Sequence, residues 1–332
     1  MSPETVTTHP YEALTPDTVI DAVESAGFLS DARILALNSY ENRVYQVGLE
    51  EGAPLIAKFY RPGRWSDEQI LEEHQFTAHL HELDIPVVAP MVVDQRTLHE
   101  HAGFRFTLYP RQGGRAPELD NLDHLEQLGQ FIGRIHQAGQ GFPFKYRIAL
   151  TVQGYGHNSV AYLLENDFIS ADLRVPYEAV THDILALLDE VELDRYTNIS
   201  LHGDCHVGNV LWRDDRPHFV DFDDALTGPA IQDLWMMLSG ETDNRQIQLA
   251  SILEGYDMFA RFDGRELALV ESLRALRLLH YNAWLARRWD DPAFPRAFTW
   301  FNTQRYWSEH ILELKETLSA LYELPLRMPG PY

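Results

Sequence analysis

Between residues 110 and 120 the chain reads PRQGGRAPELD, and its hydrophobic patterning changes there. Glycine and proline concentrate in this stretch, which interrupts any regular element. Upstream, apolar and polar residues alternate at the period of two that strands require. Downstream, apolar residues recur at helical spacing. The chain therefore reads as α+β: a mostly antiparallel β-rich part with one inserted helix, then a larger, mainly helical part. We place the domain boundary between residues 1–110 and 111–332.

Local signals place the elements. In LTPDTVIDAVESAGF, Thr15 caps a helix, Pro16 suits its first position and Gly27 its end. ARILALNSYENRVYQVGL gives two strands around a polar turn, Asn38 to Asn42, and LIAKFY gives a third carrying Lys58 among apolar neighbours. A helix over roughly 66–83 starts on Ser66, with Asp67 and Glu68 in its first turn. PVVAPMVVDQ and FRFTLYP read as two further strands. In the second part Leu125, Leu128, Ile132 and Ile135 mark one helix, and others fit roughly 157–165, 176–190, 230–239, 243–260, 264–289 and 302–323. The exception is NVLWRDDRPHFVDF, a short β-hairpin with DDRP as its turn.

Composition narrows the functional classes. The 332 residues are 45% hydrophobic and 23% charged, the balance of a globular chain with a sizeable core. The formal net charge of −23 opposes binding to nucleic acid or to an anionic membrane, both of which demand clustered Lys and Arg. It is compatible with a cationic substrate. Cys205 is the single cysteine, so no internal disulfide is possible. No segment reads as a signal peptide and no apolar run approaches ~18 residues. A cytoplasmic protein with no membrane or nucleic-acid partner is expected.

The hairpin and the loop before it carry the chemistry, in LHGDCHVGNVLW (201–212) and HFVDFDDA (218–225). Asp204 and Asn209 precede the hairpin and Asp221 ends it, so its closure is expected to set Asn209 beside Asp221 with Asp204 close by. Converging oxygen donors suit a hard cation such as Mg²⁺, which takes few protein ligands and completes its shell with water and phosphate. A further carboxylate can orient or deprotonate a hydroxyl. In LIAKFY, Lys58 and Ile56 share one strand face. In the following helix Glu73 lies three positions from both Ile70 and Phe76, on the buried stripe, where a charge needs a partner. Glu73 is thus the expected partner of Lys58, ahead of Glu72, which points more to the side.

His202-Gly203-Asp204, four residues, then Asn209, with Asp221-Phe222-Asp223 following, resembles the H-R-D-x-x-x-x-N and D-F-G pattern of kinases. The H-G-D form resembles the kinase-like phosphotransferases, which include the aminoglycoside phosphotransferases and choline kinases. Together with HYNAWLARRWDDPAF, the loop resembles the bacterial stress response kinases, a group of Ser/Thr protein kinases. The resemblance spans nearly the whole chain. It implies a bilobal protein-kinase-like fold and ATP- and Mg²⁺-dependent transfer to a hydroxyl. By the same resemblance Asp204 is the base, Asn209 and Asp221 hold Mg²⁺, and Lys58, paired with Glu73, holds ATP phosphates. The acceptor is a protein Ser or Thr, with a small alcohol as alternative, and the enzyme is expected to be a monomer. The adenine-reading hinge falls at LYPRQGG, on backbone groups of Tyr109 to Arg111.

The chain departs from the protein-kinase pattern at three points. No glycine stands in LNSYENRVY, where the phosphate loop would lie, although backbone N–H groups, Ser39 and Asn42 can still donate to phosphate. Gly203 replaces the arginine that grips an activation-loop phosphate. Only ten residues, Asp223 to Gln232, separate Asp221-Phe222 from Asp233, and no A-P-E follows. Activity is therefore expected not to await loop phosphorylation, for example at Thr227. Asp233 is expected to brace the catalytic loop and Cys205 to be inert; His206 is either structural or in contact with phosphate or substrate. Of the C-terminal aromatic group, Tyr281 and Trp284 are the candidates for acceptor contact.

Overall fold

The computed structural model describes residues 9–328, which fall in two units. The first runs to Arg115 and also takes in His218–Asp223; the second comprises Ala116–Pro217 and the chain from Asp224 onward. The sequence suggests a single crossing between the two parts, but the chain re-enters the first unit for His218–Asp223. Backbone pairing explains the return: Phe219 N–H donates to the Pro86 carbonyl at 2.8 Å, and the Phe219 carbonyl accepts from Val88 N–H at 3.1 Å.

The first unit is built on a five-stranded antiparallel sheet in the order β1-β2-β3-β5-β4. Its strands are β1 (Ser30–Ala36), β2 (Arg43–Leu49), β3 (Leu55–Phe59), β4 (His99–His101) and β5 (Phe104–Pro110). Helix α1 (Pro16–Ser25) starts on Thr15, whose hydroxyl accepts from Thr18 N–H. Its Val19, Ala22 and Val23 join Val47, Leu55, Ala57, Phe59, Phe106 and Leu108 in one buried cluster. Helix α2 (Asp67–Glu82) opens with a reciprocal capping box between Ser66 and Gln69, which satisfies N–H groups the helix cannot bond internally.

PVVAPMVVDQ is not a strand. Pro86 and Pro90 lack the N–H a ladder needs, and the segment makes only isolated bridges, Val87 to Phe219 and Val93 to Arg96. Strand β4, three residues long, gives no readable alternation.

The second unit is mainly helical: α3 (Leu122–Gln140), α4 (Asn158–Glu165), α5 (Ala171–Asp189), α6 (Ile231–Trp235), α7 (Thr242–Tyr256), α8 (Val270–Ala286), α9 (Ala293–Ala297) and α10 (Gln304–Ala320). Helix α3 packs on α7 closely enough that a Cβ on Gly129 would stand 1.9 Å from the Ile252 carbonyl oxygen. Helix α5 begins five residues before Pro176, which sits inside it rather than opening it. Strands β6 (Asn198–Leu201), β7 (Val210–Arg213), β8 (Arg216–Phe219) and β9 (Leu226–Pro229) pair as β6-β9 and β7-β8. Asp214 and Asp215 turn the β7-β8 hairpin with φ of 52° and 56°, the left-handed pair that the tightest hairpins require. Among the described residues no helix is long and apolar enough to cross a membrane.

Candidate active site

In the first unit the chemistry gathers on β3. Strand alternation turns Leu55, Ala57 and Phe59 toward the α1 cluster and leaves Ile56 and Lys58 on the opposite face. There the Lys58 ammonium donates to Asp221 Oδ1 at 2.9 Å and pairs with Asp223 Oδ1 at 3.1 Å. Lys58 is buried. Burial opposes its charge, but the Asp221 and Asp223 carboxylates outweigh burial and hold it protonated well above its ordinary range. Asp223, itself buried, is gripped from its other side by Arg64. Asp221 is half exposed and holds a φ of 60°, a left-handed conformation that costs energy in a residue with a side chain.

Glu73 lies buried on α2 as its spacing suggests, and Glu72 is buried too rather than turned aside. The ion pairs of Lys58 are nevertheless with Asp221 and Asp223, and Glu73 adds a smaller attraction. The return of residues 218–223 brings in carboxylates from outside the helix, which the helical spacing alone does not reveal. Around this cluster Tyr60 hydrogen bonds Tyr109, shares a 2.7 Å hydrogen bond with His74 Nε2, and lies under the Lys58 ammonium at 5.4 Å. Burial pushes both phenols above their ordinary range, so they act as neutral hydrogen-bonding groups.

The glycine-free turn between β1 and β2 is held by side chains. Ser39 Oγ donates to the Asn42 carbonyl at 3.2 Å, and the buried Asn42 Oδ1 accepts from Arg61 N–H at 3.1 Å. Arg61 and Arg43 donate to the Tyr40 carbonyl at 3.2 and 3.0 Å. Arg111, beyond β5, donates from Nε to Gln46 Oε1 at 2.7 Å.

In the second unit the loop after β6 is pinned by α6. Asp233 is buried and accepts from His202 N–H and Gly203 N–H, both at 2.9 Å, and lies 3.1 Å from His136 Nε2. Gln232 Nε2 donates to the Gly203 carbonyl at 3.0 Å. The brace expected of Asp233 is thus present, with Gln232 added. On the loop Asn209 Nδ2 donates to the Asp204 carbonyl at 3.0 Å, leaving Oδ1 for another group. Arg277 of α8 donates to Asp204 Oδ1 at 2.5 Å, and His206 Nε2 lies 3.3 Å from Asp204 Oδ2. Burial favours the neutral acid, but His206 and Arg277 outweigh it and hold the Asp204 carboxyl well below its ordinary range.

Phosphoryl transfer needs this inventory: a cation for phosphate, a carboxylate for the hydroxyl and oxygen donors for a hard metal. The sequence model of a family described as "Phosphotransferase enzyme family" matches residues 33–270. This chain belongs to the phosphotransferase enzyme family. As a phosphotransferase it is 42% identical over 322 residues to "Stress response kinase A" of Escherichia coli (strain K12), covering 97% of this chain and 98% of that protein. It is 41% identical over 322 residues to "Serine/threonine protein kinase RdoA" of Salmonella typhimurium, with 97% and 98% covered. Its fold is similar to that of a solved amicoumacin kinase at a TM-score of 0.73 and 20% identity, covering 96% of this chain and 97% of that one. The fold is therefore the kinase-like one that the H-G-D loop implies.

Further features of this phosphotransferase bear on its chemistry. Among the described residues no three or more His, Cys, Asp and Glu side chains group to hold a metal. The first unit offers the half-exposed Asp221 carboxylate and the second the Asn209 carboxamide oxygen. Each by itself is a hard oxygen donor of the kind Mg²⁺ accepts. The Cys205 thiol is buried, and burial with the Asp233 and Asp204 charges pushes it well above its ordinary range, which disfavours the thiolate. A cavity of about 1000 Å³ opens against the α2 face carrying Leu71, His74 and Gln75, and none of its lining residues is a candidate site residue. Asp223, Arg64 and Arg277 are the site residues that sequence patterning misses. Arg277 reaches Asp204 across 73 residues, a juxtaposition that no local spacing encodes.

Proposed function

We propose that this phosphotransferase moves the γ-phosphoryl group of ATP to a Ser or Thr hydroxyl of a protein, in a cytoplasmic stress response. The observation that carries the reading is the braced loop. Asp233 and Gln232 fix the backbone of His202 and Gly203, and so set where the Asp204 carboxylate stands. In this reading Asp204 orients the acceptor hydroxyl and takes its proton. Lys58, kept cationic by two carboxylates, neutralises phosphate charge without shifting its own proton. The β1–β2 turn with Ser39 covers the phosphates, and backbone groups from Tyr109 to Arg111 take the adenine edge. Glu73 supports Lys58 from α2. Asn209 and Asp221 would hold Mg²⁺, which supplies charge neutralisation on the transferred phosphoryl group. The names of the relatives, Ser/Thr protein kinase and stress response kinase, support the protein acceptor. The acidic balance of −23 favours a second reading, a cationic small alcohol.

The test incubates the full chain with labelled ATP and Mg²⁺, a general protein acceptor, and a panel of amino sugars, choline and homoserine. Label on protein Ser or Thr is the expected outcome. Transfer confined to a small alcohol overturns the protein acceptor. Asp204→Asn is expected to lower kcat by about 10²- to 10⁴-fold; native turnover in that variant overturns the proposed base.

A further inference from the structure

The catalytic groups above serve a protein hydroxyl and a small alcohol equally, so discrimination has to come from elsewhere. Helix α8 reaches Asp204 from outside the loop. Arg277 Nη1 donates to Asp204 Oδ1 at 2.5 Å, and among the described residues this is its one hydrogen bond or ion pair. Its side chain is 43% exposed. In a chain of net charge −23, this carboxylate has a cation beside it. The exposed line of α8 runs from Arg274 through Arg277 to Tyr281, and continues to the half-buried Trp284. These positions are three or four residues apart and therefore share one face. Tyr281 and Trp284 stack at 5.7 Å, and the Arg288 guanidinium lies 5.1 Å over the Trp284 ring.

We propose that this face of α8 binds the acceptor polypeptide: Arg277 selects a Ser or Thr flanked by an acidic side chain, and Tyr281 with Trp284 holds an apolar residue further along. The proposal rests on the protein-kinase reading and names its acceptor class. A guanidinium offers five donors and grips a carboxylate bidentately, so an arginine that spends one donor on Asp204 can still hold an acidic side chain. The hydroxyl beside that side chain is then delivered to Asp204. Trp284 lies seven residues beyond Arg277, or about 10 Å along the helix, which an extended peptide spans in about three residues. The apolar anchor is therefore expected about three positions from the acidic residue. A cationic alcohol meets like charge at Arg277 instead.

The test measures kcat and KM of the full chain with Mg-ATP on matched serine peptides carrying Asp, Ala or Lys beside the serine, each with Leu or Ala three positions on. The native chain is expected to show kcat/KM about tenfold or more higher for Asp than for Lys, expressed in KM. Arg277→Glu inverts that preference and Arg277→Lys keeps it, so a variant that merely loses structure is distinguishable. Trp284→Ala removes the preference for Leu and keeps that for Asp. Equal kcat/KM on Asp and Lys peptides, or one common factor of loss across all peptides in Arg277→Glu, overturns the proposal and leaves Ser/Thr transfer standing. Transfer to a cationic amino alcohol and to none of the peptides overturns both this inference and the protein-kinase reading.

Discussion

Gly203 holds a φ of 85°, and a Cβ built on it would stand 2.1 Å from the Asp224 carbonyl oxygen. Either condition alone disfavours a side chain, and together they explain why glycine occupies the place where phosphorylation-regulated protein kinases carry arginine. Gly203→Ala is expected to displace the loop and lower kcat about a hundredfold, since misplacement by an ångström costs that much; steady-state kinetics alongside a thermal melt checks it. Cys205 makes the opposite case, a residue next to Asp204 whose thiol the fold buries. In the native fold its thiol is expected to resist a disulfide reagent at pH 8 and to react fully in denaturant, and prompt native labelling would contradict the burial argument. At this scale the sequence shows the residues that sit together along the chain, Asp204 and Asn209. It does not show Asp223 as a buried counter-charge or Arg277 at Asp204, because each meets its partner through the folded backbone rather than through spacing.

Among elements, the short helix α6 holds the loop of His202 and Gly203 and is itself held at its start, where the buried Glu266 accepts from Ile231 N–H at 2.8 Å. Burial raises the Glu266 carboxyl from 4.5 to about 7. A folded-state value above the unfolded one means that protonation favours the fold. Its stabilising contribution is complete below about pH 4.5 and is lost as pH rises through about 7. The loss is about 3 kcal/mol at most. Glu266→Gln keeps an acceptor for Ile231 and has no proton to lose. Urea titrations are expected to show it more stable than the native chain at pH 8 and little different at pH 5. Glu266 is not legible in the sequence, since nothing marks its helical turn as facing the start of α6. Elements with chemical punctuation are legible: Thr15-Pro16, the Ser66 and Gln69 box, and the Asp214-Asp215 turn each fix an end. Strands β4, β6 and β9 are not, because three or four residues carry no periodicity, and β6 and β9 pair with each other from about 25 residues apart.

At the scale of the whole molecule, a net charge of −23 makes self-repulsion a standing cost of the folded state. Raising ionic strength from about 10 to 150 mM shortens the screening length from about 30 to 8 Å. The melting temperature is expected to rise by about 2 °C or more, corresponding to about 1 kcal/mol. A fall would mean that exposed ion pairs outweigh net repulsion.

The return of His218–Asp223 to the first unit also orders events on the ribosome. The sheet can form from residues up to Arg115, but Lys58 and Arg64 are then without Asp223, and Pro86 and Val88 without Phe219. The missing segment emerges roughly a hundred residues later, a delay of about 5–20 s at ordinary synthesis rates. During that interval a buried lysine site stands without its two carboxylates. The nascent first unit is therefore incomplete until the loop of residues 202–209 has been made, and the Lys58 ion pairs cannot be assembled ahead of the loop that carries Asp204.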